Sequence, residues 1–437
     1  MPKGKRKGRS DRGRTDGSLN STDDESFEIA SVASNFSENN NNNNNKECDE
    51  TTSEDADVAA QEQLEEKLCE LLDGLTQKSS QGRTNCFGTL TKAFVKKYMP
   101  GFIKDRYFTI CDSIERSLKK GGPAEKIAAT ELATITCVQL GGEDLSEEIC
   151  RQLKPLLLTL VCDNSIPPPV RAKCCTALGN MTFLSGGEMG DVVLLMQQFE
   201  SIYSGSYLKG DGTVANVSTE AGALHAASLQ SWNLLFTLLS PGNIGTMINN
   251  SKSLPPLEKL SELLESPHLD VRMAAGESLA LIYELGREEN ANFEDEFAVE
   301  IAETLKQLAT DSHKYRAKKD RKQQRATFRD ILQFFEDDVV PELSIKFAKE
   351  TLVLDTWCRR KQYETLCAIL GPSINIHLSD NDLVRDIFEI LLPAPSNELP
   401  VHAQHQMERY RKRLINAANF KARTLTRARN RDKRSDF

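Results

Sequence analysis

Apolar residues recur at helical spacing along most of this chain of 437 residues, beginning near Ala59. The first such stripe consists of Leu64, Leu68, Leu71, Leu72 and Leu75. A spacing of i, i+4, i+7 and i+8 places these residues on one face of an amphipathic helix. No later segment shows the sustained alternation with hairpin turns that indicates a sheet. The pattern therefore predicts an all-α body.

Helix-breaking residues divide this body into lengths typical of helical hairpins. The breakers are Pro100-Gly101, Gly121-Gly122-Pro123, Gly141-Gly142, the three prolines 167–169, Gly186-Gly187, Pro241-Gly242, Pro255-Pro256 and Gly286. Because proline and glycine interrupt or end helices, each position predicts a helix boundary.

Similar octets recur between these boundaries. Each starts with a polar residue, contains small residues and ends with Leu, at residues 83–90, 125–132, 171–178, 228–235 and 272–279. Their starts are 42, 46, 57 and 44 residues apart. Armadillo and HEAT repeats have periods of about 40 to 47 residues, and small residues let neighbouring repeats pack closely. We predict an armadillo/HEAT-like solenoid over residues 59–337, with a surface loop at 205–222 filling the longest interval.

The array changes after Gly286. Arg316 lies 44 residues after Arg272, as the repeat period requires. It begins a basic stretch, however, where the earlier octets have small apolar residues. The apolar side of that helix is predicted to be Phe328, Ile331, Leu332 and Phe335. A distinct helical segment follows at residues 338–395, with a predicted core of Trp357, Tyr363, Leu366, Leu370, Leu383 and Ile387. Residues 393–400 form a linker to a C-terminal arm, residues 396–437.

Charge is strongly segregated although the net charge is only −9. Residues 1–16 carry net charge +5, residues 17–66 carry −13, and the last 29 residues carry +9. The remaining body has net charge −10 but contains a +7 stretch at residues 313–329. Residues 1–58 hold few apolar side chains and a run of seven Asn, so we predict a disordered tail there.

The two basic stretches are candidate RNA-binding segments. The arm lacks Gly and Pro from residue 401 onward, which favours a helix of about 30 residues and roughly 45 Å. Arginine suits bidentate phosphate contacts, and neutralised phosphates release counterions, so RNA binding would depend steeply on salt. Alternatively, both stretches are solvated surfaces or bind acidic protein. The candidates are Arg409, Arg411, Lys412, Arg413, Lys421, Arg423, Arg427, Arg429, Arg431, Lys433 and Arg434 in the arm, and Lys314, Arg316, Lys318, Lys319, Arg321, Lys322 and Arg325 in the body.

Motifs for catalysis, cofactors and membranes are missing from the sequence. It has no phosphate-binding glycine loop, nucleophile elbow, Cys-x-x-Cys or His-Glu-x-x-His. His402 and His405 have no nearby metal-ligand partner, so a metal site is improbable. The 11 Cys are scattered in apolar patterns, which predicts reduced core thiols. No segment reaches the roughly 18 apolar residues of a membrane helix. We expect a protein that is not an enzyme, has no cofactor, metal or small-molecule substrate, and is cytoplasmic with nuclear entry as a further option.

Several segments resemble the interferon-related developmental regulator family in their sequence and order. They are DSIERSLKKG (112–121), RMAAGESLAL (272–281), LATDSHKYRAK (308–318), QRATFRDI (324–331), and NFKAR (419–423) with RDKR (431–434). The resemblance runs from about Leu64 to the end of the chain and implies a helical-repeat protein without enzymatic activity. It implies one of two functions. The first is a ribosome-associated factor that occupies the tRNA sites and mRNA channel of idle ribosomes. The second is a nuclear co-regulator that bridges transcription factors and histone-deacetylase corepressors.

A long arginine-rich arm favours the first function, because a channel lined by rRNA would accommodate it and a corepressor bridge gives no reason for it. The leading hypothesis is therefore a translational repressor whose partners are rRNA and proteins of both ribosomal subunits. In this hypothesis the body docks through residues 313–329 while the arm enters the mRNA path. The alternative is a co-regulator scaffold that binds corepressor proteins on the concave solenoid surface.

Overall fold

The computed structural model describes residues 50–390, except residues 142–143, 187, 250–252, 311–317 and 349. Most of this range is helical, as predicted. The α-helices are α1 (Glu50–Gly74), α2 (Ser80–Lys96), α3 (Pro100–Lys120), α4 (Pro123–Leu140), α5 (Asp144–Cys162), α6 (Pro168–Ser185), α7 (Met189–Tyr203), α8 (Thr219–Phe236), α9 (Ile244–Asn249), α10 (Leu257–Glu262), α11 (Leu269–Glu289), α12 (Asp295–Thr310), α13 (Lys318–Asp337), α14 (Trp357–Leu370), α15 (Ile374–Asp380) and α16 (Asp382–Ile387). Two strands, β1 (Leu343–Phe347) and β2 (Glu350–Leu354), form an antiparallel hairpin.

The helices lie in two layers. In the inner layer each helix packs against the next, in the order α2, α4, α6, α8, α11 and α13. Helices α3, α5, α7, α10 and α12 pack on these from the outer side. The five octets fall on the first five inner helices, one on each. The octets therefore mark the same element of successive repeats, and the predicted helical-repeat solenoid is confirmed.

Small residues bring the inner helices close together, as the octets predict. A Cβ added at Gly179 of α6 would lie 2.8 Å from the Ser231 Cβ of α8. A Cβ added at Gly276 of α11 would lie 2.8 Å from the Phe328 ring of α13 and 3.0 Å from Ile331. The two 2.8 Å distances are shorter than real Cβ contacts, so Gly179 and Gly276 require glycine for the observed helix spacing.

Buried polar side chains also join successive inner helices. The Glu125 carboxylate of α4 is 2% exposed and accepts two 2.8 Å hydrogen bonds from the Arg83 guanidinium of α2. Further along, Asn233 Nδ2 of α8 donates to the Ala274 carbonyl of α11 at 2.9 Å. Burial alone would raise the pKa of Glu125, but the hydrogen bonds from Arg83 and two serines outweigh it, and the pKa lies below its ordinary value.

Three predictions of local structure need correction. Gly286 lies inside α11 and does not end it; a Cβ there would lie 2.6 Å from the Phe293 ring, so glycine serves a close approach. Helix α1 begins at Glu50, within the predicted disordered tail, because residues 50–58 lack Gly and Pro and carry acidic residues that favour a helix start. The predicted loop at 205–222 ends earlier, since α8 begins at Thr219.

The segment after α13 is not wholly helical, because it opens with the β1–β2 hairpin. Its strands are five residues each, too short for the sustained alternation that would have predicted them. In the helices that follow, Trp357, Tyr363, Leu366 and Leu370 are buried as predicted. Leu383 and Ile387 are half-buried.

Helix α14 crosses the inner layer, where it packs against α2, α8 and α11. Helix α14 has 14 residues and is about 21 Å long. Four helix-to-helix steps separate α2 from α11, or roughly 32 to 40 Å at usual packing distances. A helix this short can meet both only if the inner layer curves around it, so α14 lies in the concave face of the solenoid.

Specific hydrogen bonds fix this C-terminal segment at both ends of its path. The Glu284 carboxylate of α11 accepts from the backbone N–H groups of Trp357 at 2.6 Å and Cys358 at 2.9 Å, which caps α14. At the other end, His377 Nε2 bonds the Val95 carbonyl of α2 at 2.9 Å, and Asn381 Nδ2 donates to the Val138 carbonyl of α4 at 3.0 Å. The segment therefore ties late repeats to early ones.

Candidate nucleic-acid interface

Helix α13, the last inner helix of the described array, presents a cluster of basic side chains over residues 318–329. Lys318, Lys319, Lys322 and Arg329 are exposed, and Arg321 and Arg325 are partly exposed. These six residues are called the α13 cluster below. It contains five of the seven body residues predicted to bind RNA, together with Arg329, which the prediction left out.

The helix sequence dictates this orientation. Its buried side consists of Gln324, Phe328, Ile331, Phe334 and Phe335. Apolar residues spaced three and four apart bury one face against α11 and α12, so the intervening basic residues point away from the core. The prediction for Phe328, Ile331 and Phe335 is confirmed, while Leu332 is half-buried.

A buried polar contact fixes the basic half of α13 in place. The Arg272 guanidinium is 2% exposed; it donates to Gln324 Oε1 at 2.7 Å and to the Ser266 carbonyl at 2.6 Å. Gln324 Nε2 in turn donates to the Leu308 carbonyl of α12 at 3.3 Å. Because Gln324 lies in the middle of the basic sequence, this contact holds the cluster on a rigid helix.

Acidic side chains do not neutralise the cluster. Within the described residues, none of its six cations lies within 4.0 Å of a carboxylate oxygen. Two cluster lysines also occupy the first turn of α13, where the helix dipole favours anions over cations. Unpaired positive charge at that position is electrostatically unfavourable unless an anion binds there.

A second basic sequence, Arg359-Arg360-Lys361 in α14, provides a contrast. Arg359 lies 3.6 Å from Asp355, Arg360 lies 3.7 Å from Asp330, and Lys361 lies 3.3 Å from Glu277. All three cations are therefore paired, and two of them line the concave face. Only the structure separates this neutralised group from the α13 cluster, since both look alike in sequence.

The remaining predicted RNA-binding residues lie outside the described residues. These are Lys314 and Arg316 before α13, and Arg409, Arg411, Lys412, Arg413, Lys421, Arg423, Arg427, Arg429, Arg431, Lys433 and Arg434 in the arm. His402, His405, the tail before residue 50 and the predicted linker also lie outside. Their roles stay predictions.

Cysteine and histidine side chains in the described body lie mostly in structural positions. Burial raises the pKa of Cys174 to about 11 and that of Cys111 to about 12, so these thiols stay protonated. Cys137, Cys174 and Cys175 are buried, as predicted. His225 bonds Ser206 Oγ at 2.7 Å, and burial lowers its pKa to about 4. In the described ranges no three His, Cys, Asp or Glu residues could hold one metal ion, and no helix could cross a membrane.

Comparison with known proteins gives two matching family models. The interferon-related developmental regulator model matches residues 30–336, and the model of an interferon-related protein conserved region matches residues 381–435. The first contains the α13 cluster up to Arg329, and the second contains every candidate of the arm.

Full-length relatives are similar over most of their length. Interferon-related developmental regulator 2 from Mus musculus is 37% identical over 377 residues, which covers 86% of this chain and 84% of the relative. Interferon-related developmental regulator 1 from Sus scrofa and from Homo sapiens are each 36% identical over 376 residues, with coverage of 86% and 82%.

Proposed function

The chain belongs to the interferon-related developmental regulator family, and on this premise we propose that it is a ribosome-associated repressor of translation. The α13 cluster docks on rRNA, and the basic arm enters the mRNA path and excludes mRNA and tRNA. The observation that carries this proposal is the α13 cluster itself, six basic side chains on one helix without a described carboxylate partner. RNA phosphates would supply the missing negative charge.

Surface charge supports rRNA as the partner more than free duplex DNA. The body is acidic overall, so a polyanion can approach only where basic residues are concentrated. A rigid cluster and an arm of net charge +9 at the chain end provide two such places. Two separated contacts on one large RNA strengthen each other through effective concentration, which a folded ribosomal surface allows.

The concave face gives less support to a co-regulator scaffold. That alternative requires the inner helices to be open to protein partners. Instead, α14 packs across α2, α8 and α11 and leaves hollows of only about 570 and 360 Å³ beside it. Hollows of this size suit a few side chains and not a folded partner.

Charge reversal in the arm tests the proposal. We expect replacement of Arg411, Arg413, Arg423 and Arg427 by Glu to abolish salt-sensitive binding of the full chain to purified ribosomes. The control carries a similar charge change, about −6 against −8, at exposed lysines of the body, with Lys78, Lys120 and Lys209 changed to Glu. If the arm variant binds ribosomes as tightly as the wild type, the arm does not contact rRNA and the proposal is wrong.

A further inference from the structure

The hollows beside α14 adjoin each other and form one cleft on the concave face. Gln230, Lys361 and Glu364 line both hollows. We call the combined space the inner cleft. Threonines and Asn180 line its larger part, while Trp357, Met273 and Leu281 provide apolar surface in the smaller part. The inner cleft therefore combines polar walls with apolar surface, as sites for extended peptides and small ligands do.

Charges in the inner cleft do not balance. Glu277 Oε2 accepts from Lys361 Nζ at 3.3 Å and from Gln230 Nε2 at 2.9 Å, and Lys361 is only 7% exposed. Glu364 lies on the same side of α14, but no described cation lies within 4.0 Å of its carboxylate. Glu364 is exposed to solvent in the cleft, and the surrounding protein atoms together with the negative charge of Glu277 raise its pKa, against the attraction of Lys361 and Arg360. The carboxylates of Glu277 and Glu364 have one directly paired cation between them, Lys361.

The other charged side chains of the cleft are already paired with each other. Glu131 accepts from Lys173 Nζ at 2.7 Å, and Asp330 lies 3.7 Å from Arg360. Glu364 is therefore the one acidic side chain of the cleft lining that makes no ion pair with a described residue. A cation beside it would relieve the repulsion from Glu277.

The wall of the smaller hollow can accept the stem of a long cationic side chain. Met273, Leu281 and Trp357 line this hollow next to Glu277 and Glu364. The Arg360 guanidinium already lies 4.8 Å from the centroid of the Trp357 ring. A Lys or Arg residue of an extended peptide carries an aliphatic stem and a cationic end, so it fits a wall that is apolar on one side and acidic on the other.

We propose that the inner cleft binds an extended peptide segment through a Lys or Arg side chain beside Glu364 and Glu277, and that its occupant is the basic arm of the same chain. The described chain ends at Ile390, just after the segment that bonds α2 and α4, and both helices line the larger hollow. Eighteen residues, 391–408, lie between Ile390 and Arg409 and span up to about 60 Å when extended. A tether of this kind presents the arm at an effective concentration of about 1 mM.

This occupancy regulates the RNA-binding arm, and in that respect it rests on the proposed function. An arm held in the cleft is withheld from RNA, because the same basic side chains make both contacts. A ribosome displaces it when the arm and the α13 cluster bind rRNA together. The cleft and the RNA therefore compete for one segment, and weakening the cleft must strengthen RNA binding.

Zero-length cross-linking of the full chain tests cleft occupancy without RNA. A carbodiimide joins a glutamate carboxylate to a lysine amine as an amide, with loss of water taken up by the reagent. We expect the monomer band to contain peptides in which Glu364 or Glu277 is joined to Lys412, Lys421 or Lys433. Glu364→Gln should remove the Glu364 products and Glu300→Gln, on the outer helix α12, should not.

Three cross-linking results would overturn the proposal. One is the absence of arm products from Glu364 and Glu277, and another is an equal yield from the exposed Glu300. Products found only between two chains would also overturn it, because the arm would then not occupy its own cleft.

RNA affinity provides the second measurement. Fluorescence anisotropy with an oligouridine should show the full-length Glu364→Lys variant binding about fivefold more tightly than the Glu300→Lys control. Equal affinities of these two variants would refute competition between cleft and RNA. If the wild type fails to bind RNA while the Glu364 cross-links form, the proposed function is wrong and the cleft assignment stands.

Discussion

Charge reversal of the three exposed lysines in the α13 cluster separates binding from folding. Lys318, Lys319 and Lys322 are exposed and make no ion pair with a described carboxylate, so changing them to Glu breaks no salt bridge among the described residues. Surface changes of this kind alter the free energy of unfolding by about 0.5 kcal/mol or less. In the first turn of α13 a carboxylate is favoured over an ammonium group, so any change should be stabilising.

The effect on RNA binding follows from the number of phosphates that these lysines can neutralise. Each lost contact lowers the slope of log affinity against log salt by about 0.7 to 0.9. Three contacts therefore reduce the slope by roughly 2 to 3. Between 50 and 200 mM salt, the affinity of the wild type should fall about 20- to 40-fold more than the affinity of the variant.

The assay is filter binding or anisotropy with an rRNA fragment at four or more salt concentrations, using the full chain. Lys78→Glu, Lys120→Glu and Lys209→Glu together carry the same charge change and serve as the control. Urea unfolding of each variant establishes that the fold is unchanged. An unaltered slope in the α13 variant, or an equal decrease in the control, would refute the assignment of the cluster as a local RNA contact.

Three further predictions concern the fold. Glu125→Ala should lower the free energy of unfolding by about 3 kcal/mol in urea titrations, because Arg83 loses a partner that is almost fully buried. A loss under about 1 kcal/mol would mean that the ion pair is dispensable for stability. Gly276→Val should lower the free energy of unfolding by about 1 to 3 kcal/mol, because its side chain clashes with Phe328. Gly101→Val should lower it less, since a Cβ there meets nothing within 4 Å. Equal losses of stability in the two variants would contradict close packing at Gly276. Burial lowers the folded-state pKa of His225 to about 4, below its ordinary 6.5, so its contribution to stability is present above pH 6.5 and is lost as the pH falls toward 4. In His225→Asn the urea midpoint should therefore change less with pH between 6.5 and 4 than in the wild type. An identical pH dependence in both proteins would exclude His225 as its origin.

The repeat architecture could be predicted because its cause is local in sequence. Each inner helix needs small residues where the next one approaches, and this requirement recurs at the repeat period. Gly276 lies inside its octet and Gly179 directly follows its own, and each lies close to the next inner helix. The helix-breaking residues likewise predict the helix starts at Pro100 and Pro123. Gly286 was misinterpreted because a glycine within a helix looks the same in sequence whether it ends the helix or admits a neighbour.

The path of the C-terminal segment could not be predicted, since it depends on contacts between residues far apart in the chain. His377 and Val95 are separated by 282 residues, and Asn381 and Val138 by 243. No periodicity within α14 reveals that it crosses three inner helices. The inner cleft was missed for the same reason, because Glu277 and Lys361 come together only when the solenoid curves around α14.

The candidate RNA-binding residues show a similar division. The sequence identifies the basic stretch of α13 by its charge. The structure adds that no residue of the cluster forms an ion pair with a described carboxylate. Sequence could not distinguish this cluster from the basic triplet of α14, which the structure places in ion pairs. Charge density predicts where a polyanion can bind, but the pairing of those charges depends on the tertiary fold.

Sucrose-gradient sedimentation of cell lysate, at low and at high salt, tests the central claim most directly. A translational repressor of idle ribosomes should sediment with monosomes and not with polysomes at low salt, and high salt should release it to the top of the gradient. Confinement to the free or nuclear fraction at every salt concentration would contradict ribosome binding and favour a co-regulator scaffold.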